Sequence, residues 1–210
     1  MLHYKTIDSK TLELLKKLQT IQIFSDLRLV GGTGLALQIG HRKSVDLDLF
    51  GKLDADVFAV SKALNDLGQV SILKKSENIN IYLIDGIKVD IVNYPYPWLL
   101  DVVVEDSLQL ADIRDIAAMK LSVVTNRGTK KDFIDIFFLL KDFSLSEMLD
   151  FYSQKYQDGT EFLVLKSLSY FDDAEEEEMP MMFNKLDWFA VKKYICTTLN
   201  NYMKNLSNTS

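Results

Sequence analysis

Residues Ser44 to Phe50 alternate without a break: Val45, Leu47 and Leu49 fall on one side, and Ser44, Asp46 and Asp48 on the other. Side chains change face at every residue only in an extended strand, so the segment reads as a strand with one apolar and one carboxylate-bearing face. Asp46 and Asp48 then point the same way, with Cα atoms roughly 6.5 to 7 Å apart. Taken alone, such a pair is more simply a pair of surface carboxylates. Its neighbours Val45, Leu47, Leu49 and Phe50, however, are residues that should be buried. A second strand read over Ile87 to Val92 sets Ile87, Val89 and Ile91 on one side and Lys88, Asp90 and Val92 on the other. Three acids converging with no obvious internal counter-charge call for bound cations. Oxygen-only donors suit Mg²⁺, and paired sites of this kind hold two ions about 3.5 to 4 Å apart.

Upstream, the apolar run Leu27 to Val30 leads into Gly31-Gly32-Thr33-Gly34, and residues 35–39 read as a short helix closed by Gly40. Glycines let the backbone approach a ligand, and a helix N-terminus offers free N–H groups and the positive end of its dipole to an anion. Thr33 adds a hydroxyl donor. An ordinary strand-to-helix turn would also use Gly-Gly, so it is the position 14 to 15 residues ahead of the acid pair that is informative. Between them lies His41-Arg42-Lys43. Arg42 is a candidate phosphate contact, with a plain solvated side chain as the alternative. His41 reads as a loop-orienting residue rather than a ligand, since the other histidine, His3, is terminal.

Elsewhere, Ser9 reads as the cap of a first helix that turns Leu12, Leu15 and Leu18 inward. A helix is expected over residues 54–68, and strands over 79–84 and 87–92 joined by Asp85-Gly86, a dipeptide favoured in two-residue type I′ hairpins. After Pro95 and Pro97 the pattern becomes helical, which puts a domain break near residues 98–109. Helices are expected over 111–124 and 130–141, followed by an undecided stretch at 145–171. A last helix carries Trp188, Val191, Ile195, Leu199 and Tyr202 on one stripe. Lys120 shares the apolar face of Ile116 and Ala117. An unpaired ammonium there is costly, so it needs either an acid or a nucleotide's phosphates. Lys131 and Asp135 stand four apart and can pair, whereas Asp132 joins Lys120 as a candidate site residue. The run Glu175 to Glu178 reads as a solvated loop, and Cys196 as a buried small apolar residue.

With 24 Lys+Arg against 30 Asp+Glu, the chain carries −6 and has no charge for a broad nucleic-acid-binding coat. RNA is then to be met through local clusters such as Arg127, Lys130 and Lys131. The single cysteine excludes an internal disulfide and a thiolate zinc cluster, which suits a reducing cytoplasm. No apolar run approaches the ~20 residues needed to span a bilayer, so no membrane partner is expected.

The blocks GGTGLALQIGHRKSVDLDLF, KVDIVNYPYP and DIRDIAAMKLSVVTNRGTKKDFIDIFFLL resemble the AbiEii/AbiGii-type nucleotidyltransferase toxins, densely over residues 27–141. That family is similar to the DNA polymerase β-like nucleotidyltransferases and typically supplies the toxin of a bacterial toxin-antitoxin or abortive-infection system. The resemblance implies an α+β nucleotidyltransferase fold. Residues 1–105 would form the nucleotidyltransferase domain, a small mixed β-sheet flanked by helices, and residues 106–210 a helical C-terminal region. It also implies a two-metal Mg²⁺ site on Asp46, Asp48 and Asp90, a glycine turn of Gly31, Gly32 and Thr33 that holds nucleotide, and a catalytic Lys120. Lys131, Asp132 and Asp135 match its KDFID segment, and Asp132 and Arg42 are taken as further nucleotide-binding residues. The implied reaction moves a nucleoside monophosphate from an NTP to an acceptor hydroxyl, on tRNA or other RNA, with an antitoxin as protein partner. Two other classes fit an acidic cluster beside a glycine turn: a non-catalytic nucleotide-binding module, and a metal-dependent phosphohydrolase or nuclease.

Overall fold

A computed structural model of the chain describes residues 1–209. The chain divides into two compact units, Met1–Asp112 and a second that begins at Ile113. The first contains, in chain order, α1 (Ser9–Thr20), β1 (Leu27–Leu29), α2 (Gly31–Ile39), β2 (Leu47–Gly51), α3 (Val57–Asn65), β3 (Val70–Lys75), β4 (Ile79–Ile84), β5 (Ile87–Asn93), β6 (Val103–Glu105) and β7 (Leu108–Leu110).

Among the described residues the strands form one seven-stranded sheet in the order β3-β4-β5-β2-β1-β7-β6. β2 runs parallel to β5 and β1 to β7, while the remaining pairs are antiparallel, so the sheet is mixed. Leu27, Leu29, Leu47, Leu49, Val89 and Ile91 are fully buried and join Leu15 and Leu18 of α1 and Val60 and Leu64 of α3 in one core. Period-two alternation on β2 and β5 therefore leaves Asp48 and Asp90 on the face turned away from that core. The hairpin between β4 and β5 forms at Asp85-Gly86, with φ of 48° and 85°, as a type I′ turn requires. α2 closes at Gly40 in the left-handed conformation, φ 71°.

Four local expectations change. The cap of α1 is Asp8, whose carboxylate accepts from the Thr11 N–H at 2.9 Å, rather than Ser9. Val45 lies ahead of β2 and is 61% exposed, so the apolar face of that strand begins at Leu47. α2 begins at Gly31, which makes the glycines its first turn instead of a loop before it. β3, β6 and β7 add three strands to the sheet. β3 is an edge strand exposed on both faces, and so lacks alternation in hydrophobicity. β6 and β7 are three residues each, turned by Asp106-Ser107 at φ 51° and 64°.

The second unit is helical: α4 (Ile113–Arg127), α5 (Lys130–Asp142), α6 (Leu145–Lys155), α7 (Glu161–Ser167), α8 (Asp172–Glu175) and α9 (Trp188–Thr209). α4 and α5 bury Ile116, Ala117, Leu121, Phe133, Ile134 and Ile136, and Phe133 stacks against Phe171 at 4.8 Å and Trp188 at 6.2 Å between ring centres. On α9, Val191 and Ile195 are buried while Trp188, Leu199, Tyr202 and Cys196 are half-buried. The acidic run is not a free loop. The Lys130 ammonium donates to the carbonyl oxygens of Glu175 and Glu177, its backbone N–H donates to Glu177 Oε2 at 2.7 Å, and Glu175 holds Lys192 at 2.8 Å. Lys130 is 5% exposed, so it drops out of the basic cluster proposed for RNA. No helix among the described residues is long and apolar enough to cross a membrane.

Candidate active site

The site in the first unit follows from one strand pairing. β1 and β2 are antiparallel neighbours with Leu29 opposite Leu49, and the Val30 N–H donates to the Asp48 carbonyl at 2.9 Å. The residue after Val30 starts α2, so residues 17 positions apart in sequence become neighbours, Gly31 beside Asp48. Gly31 has φ 65°, and a Cβ there would collide with Asp48 Oδ2 and sit 2.7 Å from its Cγ. The missing side chain is what admits the carboxylate. Gly32 plays the same part for Arg42: a Cβ would collide with Arg42 Nη2 and lie 3.3 Å from Ser44 Oγ. The first helical hydrogen bond runs from the Gly34 N–H to the Val30 carbonyl, so the N–H groups of Gly31, Gly32 and Thr33 precede it.

Parallel pairing of β2 and β5 sets Asp48 directly opposite Asp90. Asp46 precedes β2 by one residue and is fixed through its backbone. Thr33 Oγ1 donates to the Asp46 carbonyl and shares a hydrogen bond with Ser44 Oγ at 2.8 Å. Thr33 is 1% exposed, so its hydroxyl ties α2 to the acid strand and is not the free phosphate donor the sequence suggested. Arg42 is 3% exposed, with Nη1 donating to the Lys43 carbonyl at 3.0 Å; it is a buried strut of the turn, not a solvated side chain. His41 is 4% exposed, within the loop.

The acids do have an internal counter-charge, contrary to expectation. Lys88 Nζ lies 2.7 Å from Asp90 Oδ1. Burial alone would pull the Lys88 ammonium down, yet the hydrogen bond and charge of Asp90 and the charges of Asp48 and Asp46 outweigh it and hold it above the ordinary lysine value. The charges of all three carboxylates therefore act on this one ammonium. The signal was present in the sequence, since Lys88 and Asp90 share a face of β5 by alternation. Further along the same face, Phe50 packs on Tyr94 at 5.4 Å, and Tyr94 on Tyr96 and Trp98 at 5.2 and 5.3 Å, an aromatic wall beside the acids.

These donors suit a hard divalent cation in chemistry: they are carboxylate oxygens, two of them from Asp48 and Asp90 in register on adjacent strands. Among the described residues no three His, Cys, Asp or Glu side chains close into a metal cage. Mg²⁺ does not require one, because it is ordinarily held by one or two carboxylates with phosphate and water oxygens completing its shell.

In the second unit, Lys120 has acid partners. Its ammonium lies 2.8 Å from Asp132 Oδ1 and 2.6 Å from Asp135 Oδ2, and all three residues are buried. Asp135 therefore belongs with Asp132 to the acids that hold Lys120. Asp132 also accepts from the backbone N–H and hydroxyl of Thr129, capping α5. Burial would raise the Asp132 carboxyl, but the charge and hydrogen bond of Lys120 and the Thr129 hydroxyl prevail and lower it; Asp135 opposes them. A second buried pair, Lys155 with Asp115 at 2.6 Å, joins α6 to α4 across 40 residues of sequence. No short-range pattern announces it.

The model of the family described as nucleotidyl transferase AbiEii toxin, type IV TA system, matches residues 13–199. The uncharacterized protein aq_aa25 of Aquifex aeolicus (strain VF5) is 33% identical over 201 residues, covering 92% of this chain and 96% of that one. Among solved structures, JHP933 from Helicobacter pylori superposes with a TM-score of 0.58 at 18% identity, covering 95% of this chain and 92% of its own. MenT4, the nucleotidyltransferase toxin Rv2826c from Mycobacterium tuberculosis H37Rv, does so with a TM-score of 0.57 at 16% identity, covering 89% and 79%. At those identities the two structures speak for the fold, an α+β nucleotidyltransferase fold with a mixed sheet, and the family match speaks for the activity. The chain belongs to the AbiEii nucleotidyltransferase toxin family and is a nucleotidyltransferase.

Proposed function

We propose that this enzyme transfers a nucleoside monophosphate from an NTP to an acceptor hydroxyl on RNA, tRNA included, with Asp46, Asp48 and Asp90 as the reaction centre. The observation that carries the reading is the abutment of Asp48 on Gly31, with Asp90 in register beside it. It puts an anion-binding helix start and a cluster of carboxylates in one place, the two components that a triphosphate and its counter-ions require.

In this reading residues 1–105 make up the nucleotidyltransferase domain and residues 106–210 the helical region. Asp46, Asp48 and Asp90 hold Mg²⁺, which when bound neutralises the triphosphate and acidifies the acceptor hydroxyl. The N–H groups of Gly31, Gly32 and Thr33 bind the β- and γ-phosphates, and Arg42 stiffens that turn from behind Gly32 while adding positive charge. Asp90 accepts the proton of the acceptor hydroxyl. The acceptor oxygen forms its bond to the α-phosphorus as the bond to the bridging oxygen breaks, and pyrophosphate leaves. Lys120 and Asp132, the candidates of the helical unit, are engaged with each other, and Lys120 also with Asp135. The family's type IV toxin-antitoxin description supports a cognate antitoxin as partner, and the single cysteine suits a cytoplasmic setting.

The test is incubation of the purified chain with total bacterial RNA and each NTP in turn, labelled at the α- or the γ-phosphate. The reading predicts that one RNA species acquires the α-label and never the γ-label, with release of pyrophosphate. Release of orthophosphate, shortened RNA, or nucleotide binding without any labelled product would overturn it.

A further inference from the structure

Lys88 stands two residues before Asp90 on β5, so the alternation that turns Asp90 to the acid face turns Lys88 there as well. Its ammonium touches Asp90 Oδ1 at 2.7 Å, and the two side chains are 38% and 17% exposed. The lysine end of the pair reaches solvent while Asp90 Oδ1 is buried, and that oxygen has no hydrogen bond of good geometry, so the ammonium holds it by charge and is free to be exchanged for another cation. Its partner carboxylate faces Asp48 across the β2–β5 ladder, where two like charges would repel. A lysine stem is flexible and its head is a compact charge, able to enter or leave such a position without backbone movement.

We infer that Lys88 is a resident counter-cation, which pins the Asp90 carboxylate when no divalent ion is bound and must leave Asp90 Oδ1 before that oxygen can serve a divalent cation. The inference rests on the proposed divalent-cation reading of the acid cluster and adds the competitor for it. A tethered ammonium needs no diffusion to reach Asp90, so it wins against dilute free cations. A doubly charged ion arriving at the same oxygen must also overcome repulsion from the ammonium it displaces. The free enzyme therefore holds a bare divalent ion weakly. With a nucleotide present, the released ammonium has phosphate oxygens to meet, and the competition is relieved.

The experiment is Mn²⁺ binding to the full chain without nucleotide, followed by the loss of the free-ion electron paramagnetic resonance signal, for wild type, Lys88→Met and Lys88→Arg. Removing the competing charge is expected to tighten Mn²⁺ binding on the order of tenfold in Lys88→Met, while Lys88→Arg, which keeps the charge, binds as the wild type does. In EDTA, Lys88→Met should melt below the wild type, and Mn²⁺ should restore it. Lys88→Gln repeats the measurement should the methionine variant not fold. A merely structural lysine would not tighten metal binding when removed. Equal or weaker binding by both neutral variants overturns the inference alone. Absence of Mn²⁺ binding by every variant, with or without a non-hydrolysable NTP, overturns the divalent-cation reading and the inference with it.

Discussion

Replacing Gly31 by alanine separates backbone strain from the placement of Asp48. Of the glycines with positive φ in the first unit, two have opposite surroundings: Gly31 at 65° lies beside the Asp48 carboxylate, and Gly86 at 85° has nothing within 4 Å of a Cβ. A left-handed conformation costs a residue with a Cβ roughly 1 to 2 kcal/mol, so both Gly31→Ala and Gly86→Ala should lose about that much on urea unfolding. Only Gly31→Ala adds a collision. The new Cβ would stand 2.7 Å from Asp48 Cγ and 3.1 Å from its Cβ, so the carboxyl group must swing aside while β2 keeps its place. A displacement of about 1 Å at a reacting group costs on the order of a hundredfold in rate. The assay is transfer of α-phosphate label from NTP to RNA, run beside urea titrations of both variants. Gly86→Ala should keep wild-type transfer and Gly31→Ala should lose it by about that factor. Equal transfer rates in the two variants would refute the view that the glycine exists to admit Asp48.

Three further outcomes are expected. Thr33→Val, close in shape, leaves the Asp46 carbonyl without its hydroxyl donor and should lower stability by about 1 to 3 kcal/mol, as read by urea unfolding, and slow transfer by loosening Asp46. Lys120→Met strands Asp132 and Asp135 in the helical core, and breaking a buried pair from one side costs about 3 to 5 kcal/mol, seen as an early melt of the helical circular dichroism signal. Asp132 sits below the ordinary aspartate value of 3.8 in the folded chain, so its stabilisation is complete above that value and is lost as the pH falls through the lower, folded one. Unfolding free energy measured from pH 5 downward should fall more steeply in the wild type than in Asp132→Asn.

Features set by neighbours in the chain were legible in the sequence. The Asp85-Gly86 turn, the Gly40 stop and the alternation that carries Asp48 and Asp90 depend on local backbone geometry alone. Even the adjacency of the glycine turn and the acids was readable, because a strand, a short helix and an antiparallel return strand bring their ends together. What escaped depends on partners distant in sequence or on absent patterning. β3 has no buried face to alternate. Lys130 looked like a surface cation because its carbonyl partners lie 45 and 47 residues away. Lys120 was rightly read as needing a partner, but whether an acid or a phosphate would supply it depended on how α4 meets α5. Lys88 falls on the face of Asp90 by alternation, but alternation alone does not say that its ammonium reaches the Asp90 carboxylate.

The central claim is that the carboxylates beside the glycine turn carry out nucleotidyl transfer. Its most direct test is the rate of α-phosphate label transfer to total RNA by Asp48→Asn, measured beside the wild type with both chains shown to be folded by circular dichroism. The account predicts a folded variant with no transfer; a folded Asp48→Asn that labels RNA at the wild-type rate would contradict it.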